Sequence, residues 1–146
     1  MTAAIEDQLR ECRFSYTKEV DNQGRATFHL PFEISCGTVF VRLHVDETVF
    51  ASYVFLRSLD SIAVPSRRDL FLALLRLNSQ VSFARVSIWG STEDEVEWVL
   101  VDAQMPSRCV TPEAISSLVQ QTVNLADQVA TTIQLLSTTA QRQLAE

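Results

Sequence analysis

The C-terminal stretch from Thr111 to Glu146 places the strongest constraint on the fold of this chain. It contains no glycine and no proline after Pro112, and its apolar residues recur at steps of three and four, which is the spacing of one helix face. Thr111 can cap a helix and Pro112 suits the first helical position. A helix over about 111–144 would be about 50 Å long, whereas a compact chain of this length is roughly 40 Å across. We therefore predict a long C-terminal helix whose apolar stripe lies on a sheet.

Composition and charge limit the classes of function. The 146 residues, 47% of them hydrophobic, suffice for one domain spanning 1–146 with its own core. A net charge of −6 disfavours nucleic acid and anionic membrane surfaces as partners. The sequence has no apolar run of about 18 residues, and its N-terminus lacks the pattern of a signal peptide. We expect a cytoplasmic protein with no membrane and no nucleic-acid partner.

The remainder of the chain alternates between strand and helix patterns. The predicted strands cover 14–20, 26–34, 39–46, 49–56, 83–89 and 95–101. The predicted helices cover 3–12, 65–78 and 111–144. Since strands joined by short turns pair in antiparallel fashion, we predict an α+β fold, an antiparallel β-sheet packed by helices in the order α-β-β-β-(β)-α-β-β-α. The first helix has a thin apolar face, Ile5 and Leu9, and is expected to be weakly held.

One local run carries a resemblance to a known family. In it Val64-Pro65 open a helix, Leu70 to Leu77 fill it, Asn78 closes it, and Phe83-Ala84-Arg85 start the next strand. Together with the element order and a closing helix that begins at Thr111-Pro112-Glu113, this run resembles the YbjN-like family over roughly Ile5 to Leu136. At the level of the fold it also resembles the type III secretion chaperones. The resemblance implies a bacterial, cytoplasmic homodimer without catalytic residues that binds another protein.

Residues suited to metal binding or nucleophilic catalysis are few. His29 and His44 could hold a metal with Cys36 or Glu33, but no short-spaced pair of ligands anchors such a site. The three cysteines are widely spaced without a CxxC motif, so we expect reduced thiols packed as small apolar groups. With three glycines in the chain, a phosphate-cradling loop is nearly excluded. We expect no catalytic residue, no metal and no cofactor.

Two charged groups have alternative interpretations. The acidic run Glu93-Asp94-Glu95, with Glu97 and Asp102, is expected to be a solvated hairpin, and a docking patch for a basic partner is the alternative. Arg67 and Arg68 could bind phosphate at the start of the second helix, but ordinary surface charge is the preferred interpretation.

Several predicted strands are apolar on both faces, which indicates that a partner covers one of them. Partner binding is assigned to Phe40, Arg42, His44, Phe50 and Val54. Dimer or helix packing is assigned to Leu125, Val129, Ile133 and Leu136. Trp98 is predicted to face the core with Val96 and Leu100, which leaves Val99 and Val101 on the opposite face.

The predicted function is that of a non-enzymatic protein-binding module, a dimeric chaperone-like adaptor or regulator that holds a partner protein. The alternative is a small-ligand sensor or enzyme with a pocket between sheet and helices.

Overall fold

A computed structural model describes residues 2–62, 64–80, 83–90 and 96–145. Within these ranges the chain forms three α-helices and one six-stranded sheet. The helices are α1 (Thr2–Glu11), α2 (Val64–Gln80) and α3 (Pro112–Ala145). The strands are β1 (Thr17–Val20), β2 (Ala26–Ile34), β3 (Gly37–Val45), β4 (Val49–Ser58), β5 (Arg85–Gly90) and β6 (Glu97–Pro106). The predicted α+β class, element order and long C-terminal helix are confirmed.

The sheet is antiparallel throughout, with the strand order β1-β2-β3-β4-β6-β5. The first four strands form a meander with short turns. After α2 the chain returns as an edge strand, β5, and then fills the place beside β4 with β6. Proline in β2 fits this order, because β1 pairs only with Ala26–His29 and Pro31 lies beyond its end, where one side of β2 has no neighbour.

Helix α3 lies on one face of the sheet, here named the core face. The buried stripe of α3 follows the predicted helical spacing and is made of Ile115, Leu118, Val119, Thr122, Leu125, Ala126, Val129 and Ile133. The sheet opposes it with alternate residues of four strands, which are Ala26, Phe28, Leu30, Val41, Leu43, Phe50, Ser52, Val54, Val99, Val101 and Ala103. Burying this much apolar surface is what holds the helix to the sheet.

Helix α1 is bound more firmly than its sequence predicts. Ile5 and Leu9 are both buried in the main core. The thiol of Cys12 donates to the carbonyl oxygen of Pro112 at 3.2 Å, which joins the end of α1 to the start of α3. The expectation of a weakly held helix was wrong, since two apolar residues suffice when both reach the core.

The turn between β3 and β4 depends on one aspartate. The Oδ1 atom of Asp46 accepts hydrogen bonds from the backbone N–H groups of Thr48 and Val49, each at 2.7 Å. The connection therefore spans Asp46–Thr48, and the aspartate side chain stabilises a turn that lacks the glycine or asparagine typical of tighter hairpins.

Among the helices that the structure describes, none combines the length and the apolar character needed to cross a membrane.

Candidate functional site

The second face of the sheet, here named the open face, carries no helix among the described residues. Side chains alternate along a strand, so the positions between the core residues all point to this face. Its central residues are Phe40, Arg42, His44, Ala51, Tyr53, Phe55, Arg85, Ser87, Trp89, Trp98, Leu100, Asp102 and Gln104. Because most of them are apolar or aromatic, the open face differs from an ordinary solvated sheet surface.

An aromatic cluster occupies the middle of the open face. The ring of Phe55 makes edge-to-face contacts with Tyr53, Trp89 and Trp98, at centroid distances of 5.8, 5.4 and 6.2 Å. The guanidinium of Arg42 lies over the same ring, with Cζ 5.1 Å from its centroid. Such contacts fix the orientation of the rings while Trp89 stays 46% exposed. The result is an ordered aromatic surface in contact with solvent.

A buried carboxylate lies beside this cluster. Asp102 is 5% exposed and accepts hydrogen bonds from Arg85, at 3.1 Å from Nε and 3.2 Å from Nη2. It also accepts one from Nε2 of Gln104 at 3.2 Å. These bonds and the negative charge of Asp102 raise the pKa of Arg85. The pair lies in a groove of about 560 Å³ whose aromatic walls include Tyr53 and Trp89.

The predicted partner-binding residues divide between the two faces. Phe40, Arg42 and His44 lie on the open face, as expected, and Phe40 is 56% exposed. Phe50 and Val54 lie on the core face and are fully buried, so their assignment to the same surface was wrong. The odd-numbered residues of β4, chiefly Tyr53 and Phe55, lie on the open face in place of Phe50 and Val54.

The two faces of β6 are also reversed relative to the prediction. Val99 and Val101 are fully buried on the core face, whereas Trp98 and Leu100 lie on the open face. The register explains the reversal, since Leu100 is paired with Phe55 and Val101 with Val54. The placement of Trp98 in the core was therefore wrong, and both tryptophans of the chain belong to the open face.

The residues assigned to dimer or helix packing contribute to the core of the single chain. Leu125, Val129 and Ile133 are buried against the sheet, and Leu136 is partly buried at the edge of the same core. Their role in helix packing is clear from these contacts. Substituting aspartate for Val129 or Ile133 would put a charge into the core, so such variants would report on folding and not on an interface.

A second apolar surface surrounds the end of the sheet at β5. Six of the nine large hydrophobic residues exposed in the described part of the chain belong to α2, to the segment after it or to β5. They are Phe71, Leu72, Leu75, Phe83, Ile88 and Trp89. All but Trp89 are named here the α2–β5 surface. β5 is an edge strand, and the side chain of Asn78 binds the backbone N–H and carbonyl oxygen of Val86 at its start. The part of the edge beyond Val86 therefore lies beside these side chains with its outward backbone groups open to a partner.

The charged groups singled out in the sequence have ordinary surroundings, with one exception. Glu93, Asp94 and Glu95 lie outside the described residues, and Glu97 is exposed. Asp102 was expected to be solvated with them, but it is buried because β4 and β5 flank it on both sides.

The two arginines at the start of α2 also differ from one another. Arg67 donates to the backbone carbonyls of Leu59 and Ile62, which holds the turn before α2, and Arg68 is exposed. The geometry of Arg67 is that of a structural residue, since Nε and Nη2 both bind backbone carbonyl oxygens of the preceding turn.

Histidines and cysteines do not converge in the described part of the chain. His29 lies 3.0 Å from Glu19 on the neighbouring strand, and no group of three or more metal-ligating side chains occurs among the residues described. Cys36 and Cys109 are exposed and Cys12 is partly buried, all three as free thiols. The prediction that these thiols pack as small apolar groups was wrong for Cys36 and Cys109.

A cleft of about 340 Å³ separates the β2–β3 turn and the end of β4 from α3. Its apolar lining includes Ile34, Val39 and Leu56, and Arg57 is the one charged residue among those that line it. This cleft is a pocket between sheet and helix of the kind required by the alternative function.

No family model matches this chain, and no curated protein matches it in sequence. Among solved structures it is similar to the crystal structure of YbjN, "a putative transcription regulator from E. coli", with a TM-score of 0.60. The two are 16% identical, and the match covers 89% of this chain and 88% of that one. At this identity the likeness concerns the fold alone. The part of the predicted resemblance that names YbjN is confirmed at that level, and the chain has a YbjN-like α+β fold.

Proposed function

We propose that this chain is a non-enzymatic protein-binding module, an adaptor or regulator that holds a segment of a partner protein on its open face. The observation that supports it is the aromatic cluster around Phe55, with Arg42 stacked on it, on a sheet face that no described helix covers. Tryptophan, tyrosine and arginine are the residues most enriched at the energetic centres of protein interfaces. Rigid aromatic side chains lose little conformational entropy on binding, so a preformed cluster favours association.

The chemistry of the face suits recognition better than catalysis. Its aromatic rings and guanidinium groups offer contact area and hydrogen-bond donors, and the buried carboxylate of Asp102 is already bound by Arg85. A role in regulation agrees with the description given to YbjN, although this chain shares only its fold. As part of the proposal we place the protein in the cytoplasm.

The proposed module acts as a homodimer that associates through the α2–β5 surface. A two-fold dimer needs one self-complementary patch, and the part of β5 beyond Val86, which Asn78 does not bind, can pair with its own copy in antiparallel fashion. The exposed side chains of Phe71, Leu72 and Leu75 then cover one another as well. This arrangement leaves the greater part of the open face free for the partner.

Light scattering after size exclusion tests the dimer with a matched pair of variants. Leu75 on α2 and Leu135 on α3 are 66% and 65% exposed. Substitution by aspartate should therefore change the free energy of unfolding of the isolated chain by about the same amount at the two positions. We expect Leu75→Asp to give monomers and Leu135→Asp to keep the mass of a dimer. Equal masses for the two variants would place the interface elsewhere.

Affinity purification from the native host tests the open face. The bait variants are Trp89→Ser with Phe40→Ser on the open face, and Leu135→Ser on α3 as the control, all of them exposed positions. We expect one protein to be retained by the wild-type chain and by the control and to be lost from the open-face variant. Retention by all three, with equal melting temperatures, would reject the open face as the binding site.

The cleft beside α3 favours a second candidate function, a small-ligand sensor. A volume of about 340 Å³ is within the range of small-molecule sites. A metabolite bound there at about 100 times its dissociation constant would stabilise the native state by about 2.7 kcal/mol. A thermal-shift screen therefore separates this candidate from the first, with Ala130→Leu as the variant that fills the cleft.

A further inference from the structure

We propose that the partner segment held on the open face is acidic, with two carboxylates two residues apart that bind Arg42 and Arg85 and with apolar side chains beside them. This inference rests on the proposed function, because it names the chemistry of the partner at the same surface. It derives from the position of the two guanidinium groups, from the donors that remain on Arg85, and from the charge of the face.

One row of cross-strand neighbours sets the geometry. Arg42 on β3 is paired with Tyr53 on β4, Tyr53 with Asp102 on β6, and Asp102 with Arg85 on β5. Adjacent strands are about 4.8 Å apart, so the backbones of the two arginines are separated by about 14 Å. Their guanidinium groups lie closer together, because that of Arg42 is over the ring of Phe55 on β4 and that of Arg85 is on Asp102 of the neighbouring strand β6. Phe55 is paired with Leu100, two residues from Asp102, so one strand spacing and two residues along the strand separate the two groups by about 8 Å. Alternate residues of an extended segment are about 7 Å apart, so two carboxylates two residues apart match this distance.

Arg85 is oriented by a buried partner while part of its guanidinium stays available. Asp102 binds Nε and Nη2, and no residue in the described part of the chain accepts a hydrogen bond from Nη1. The side chain of Arg85 is 64% exposed, whereas that of Asp102 is 7% exposed. A guanidinium has five N–H groups in a fixed plane and binds carboxylates with directed, charge-assisted hydrogen bonds. An arginine held in this way is preorganised for an acidic group.

The charges of the face favour the same partner. The chain carries a net charge of −6, yet the centre of its open face, from β3 to β5, presents two arginines and one buried carboxylate that Arg85 already neutralises. The carboxylates of Glu19 and Glu33 on the same face belong to the outer strands β1 and β2. The guanidinium of Arg42 rests on Phe55 and takes part in no salt bridge with the residues described. Acidic side chains on a partner would therefore meet positive charge over the aromatic cluster and beside it.

The alternate residues that flank the two acids lie on the same side of an extended segment as they do. These side chains would contact exposed rings of the open face, such as those of Phe40 and Trp89. Apolar or aromatic residues fit there, because those rings provide flat contact area without a free charge. The inferred pattern is apolar, any residue, acidic, any residue, acidic, any residue, apolar.

Single-stranded nucleic acid is the competing class of partner, because bases can stack on aromatic rings of an open sheet. Its affinity depends on several phosphate contacts. The central face offers two guanidinium groups, one of them already paired, on a chain of net negative charge. These charges favour the peptide, and the test below includes the nucleic acid.

Tryptophan fluorescence gives a direct readout, because the only two tryptophans of the chain, Trp89 and Trp98, both lie on the open face. The probes are three synthetic peptides of sequence Leu-Ser-X-Ser-X-Ser-Leu with blocked ends, where X is glutamate, glutamine or lysine. Their leucines add no fluorescence. We expect the glutamate peptide to bind about tenfold more tightly than the glutamine peptide, since a charged hydrogen bond is worth about that factor. We expect the lysine peptide to bind most weakly.

Variants assign the effect to residues. Arg42→Gln and Arg85→Gln should each remove most of the preference for glutamate. Arg108→Gln, at an exposed position in the turn between β6 and α3, should keep it. Because Arg85→Gln leaves Asp102 buried without its cation, its fold is checked by circular dichroism, and Arg42→Gln is the independent variant. Moving the two glutamates to positions four residues apart should weaken binding of the acidic peptide.

The outcomes separate the inference from the proposed function. Equal binding of the glutamate and glutamine peptides would overturn the acidic pattern while leaving the open face as a protein-binding surface. Tighter binding of oligothymidylate than of the acidic peptide, lost in Arg42→Gln, would overturn the choice of a protein partner. No fluorescence change with any of the three peptides would also overturn the inference, and the affinity purification with the open-face variant would then decide the function by itself.

Discussion

The hydroxyl oxygen of Ser52 on β4 lies 2.9 Å from the hydroxyl oxygen of Thr122 on α3, and both side chains are fully buried. The hydroxyl of Thr122 also lies 2.9 Å from the carbonyl oxygen of Leu118, one turn earlier in the same helix. A hydroxyl has one hydrogen to donate, so Thr122 donates to Leu118 and accepts from Ser52. This polar contact joins the sheet to the long helix inside an apolar core.

The direction of this bond predicts unequal effects of the two single variants. Thr122→Val leaves the buried hydroxyl of Ser52 without an acceptor and should lower the free energy of unfolding by about 1–3 kcal/mol. Ser52→Ala removes the donor and leaves the bond to Leu118 intact, so it should cost less. The double variant should cost less than the sum of the two. Urea denaturation measures all three, and equal losses for the single variants would contradict the assigned direction.

The different burial of two leucines on α3 predicts different effects of their substitution on stability. Leu118 is 1% exposed, while Leu135 is 65% exposed on the same helix. Leu118→Ala should lower the free energy of unfolding by about 2–5 kcal/mol because it leaves a cavity. Leu135→Ala should change it by less than about 0.5 kcal/mol. Similar losses at the two positions, measured by urea denaturation, would contradict the packing of α3 on the core face.

Two turn aspartates predict how stability responds to acid. Backbone and side-chain hydrogen bonds from Arg25 lower the pKa of Asp21, and backbone N–H groups of Val49 and Thr48 lower the pKa of Asp46. A lowered folded pKa stabilises the native state above the ordinary aspartate value of about 3.9. This contribution is lost as the pH falls below that value and through the lower folded pKa.

The test compares Asp46→Ala with the wild-type chain by urea denaturation between neutral and acidic pH. The variant should be less stable at pH 7, and the difference should shrink once the pH falls below about 4. Glu47→Ala, at the next position of the same turn, should track the wild-type chain throughout. A difference between Asp46→Ala and wild type that is independent of pH would mean that the carboxylate charge has no part in the turn.

The three thiols should differ in their rates of alkylation. Cys36 and Cys109 are exposed, whereas Cys12 is partly buried and its thiol donates to the carbonyl of Pro112. Burial, with the nearby charge of Glu11, raises the pKa of Cys12, so less of its reactive thiolate exists at pH 8. Mass spectrometry after brief iodoacetamide treatment should find Cys36 and Cys109 modified first. Modification of Cys12 at an equal rate would mean that α1 separates readily from α3.

The sequence predicts the elements of this fold better than it predicts their faces. Alternation identified the strands, and the spacing from Thr111 onward identified α3. In β4 and β6, however, both sets of alternate residues are apolar, so the pattern cannot tell which set is buried. Trp98 and Leu100 were therefore assigned to the core, while Val99 and Val101 occupy it. When one face of a sheet is aliphatic and buried and the other is aromatic and exposed, the sequence pattern alone does not show which of the two is the core face.

The candidate site depends on strand order, which local patterns do not contain. Asp102 becomes buried because β6 lies between β4 and β5, and its partner Arg85 comes from a strand 17 residues earlier. In the sequence Asp102 follows an acidic hairpin and resembles a solvated residue. Phe40 and Arg42 could be placed correctly because β3 alternates cleanly between apolar and polar residues. The aromatic ring at the centre of the site, Phe55, could not be singled out from its neighbours on β4.

The position of β6 has a consequence for synthesis on the ribosome. The meander from β1 to β4 can form from local contacts, but β4 keeps one unpaired side until β6 has been made, about a third of the chain later. The core face stays uncovered for longer still, because α3, the helix that shields it, follows β6 in the chain. A nascent chain therefore exposes an incompletely paired apolar sheet until α3 has been synthesised, and this surface is prone to aggregation during that interval.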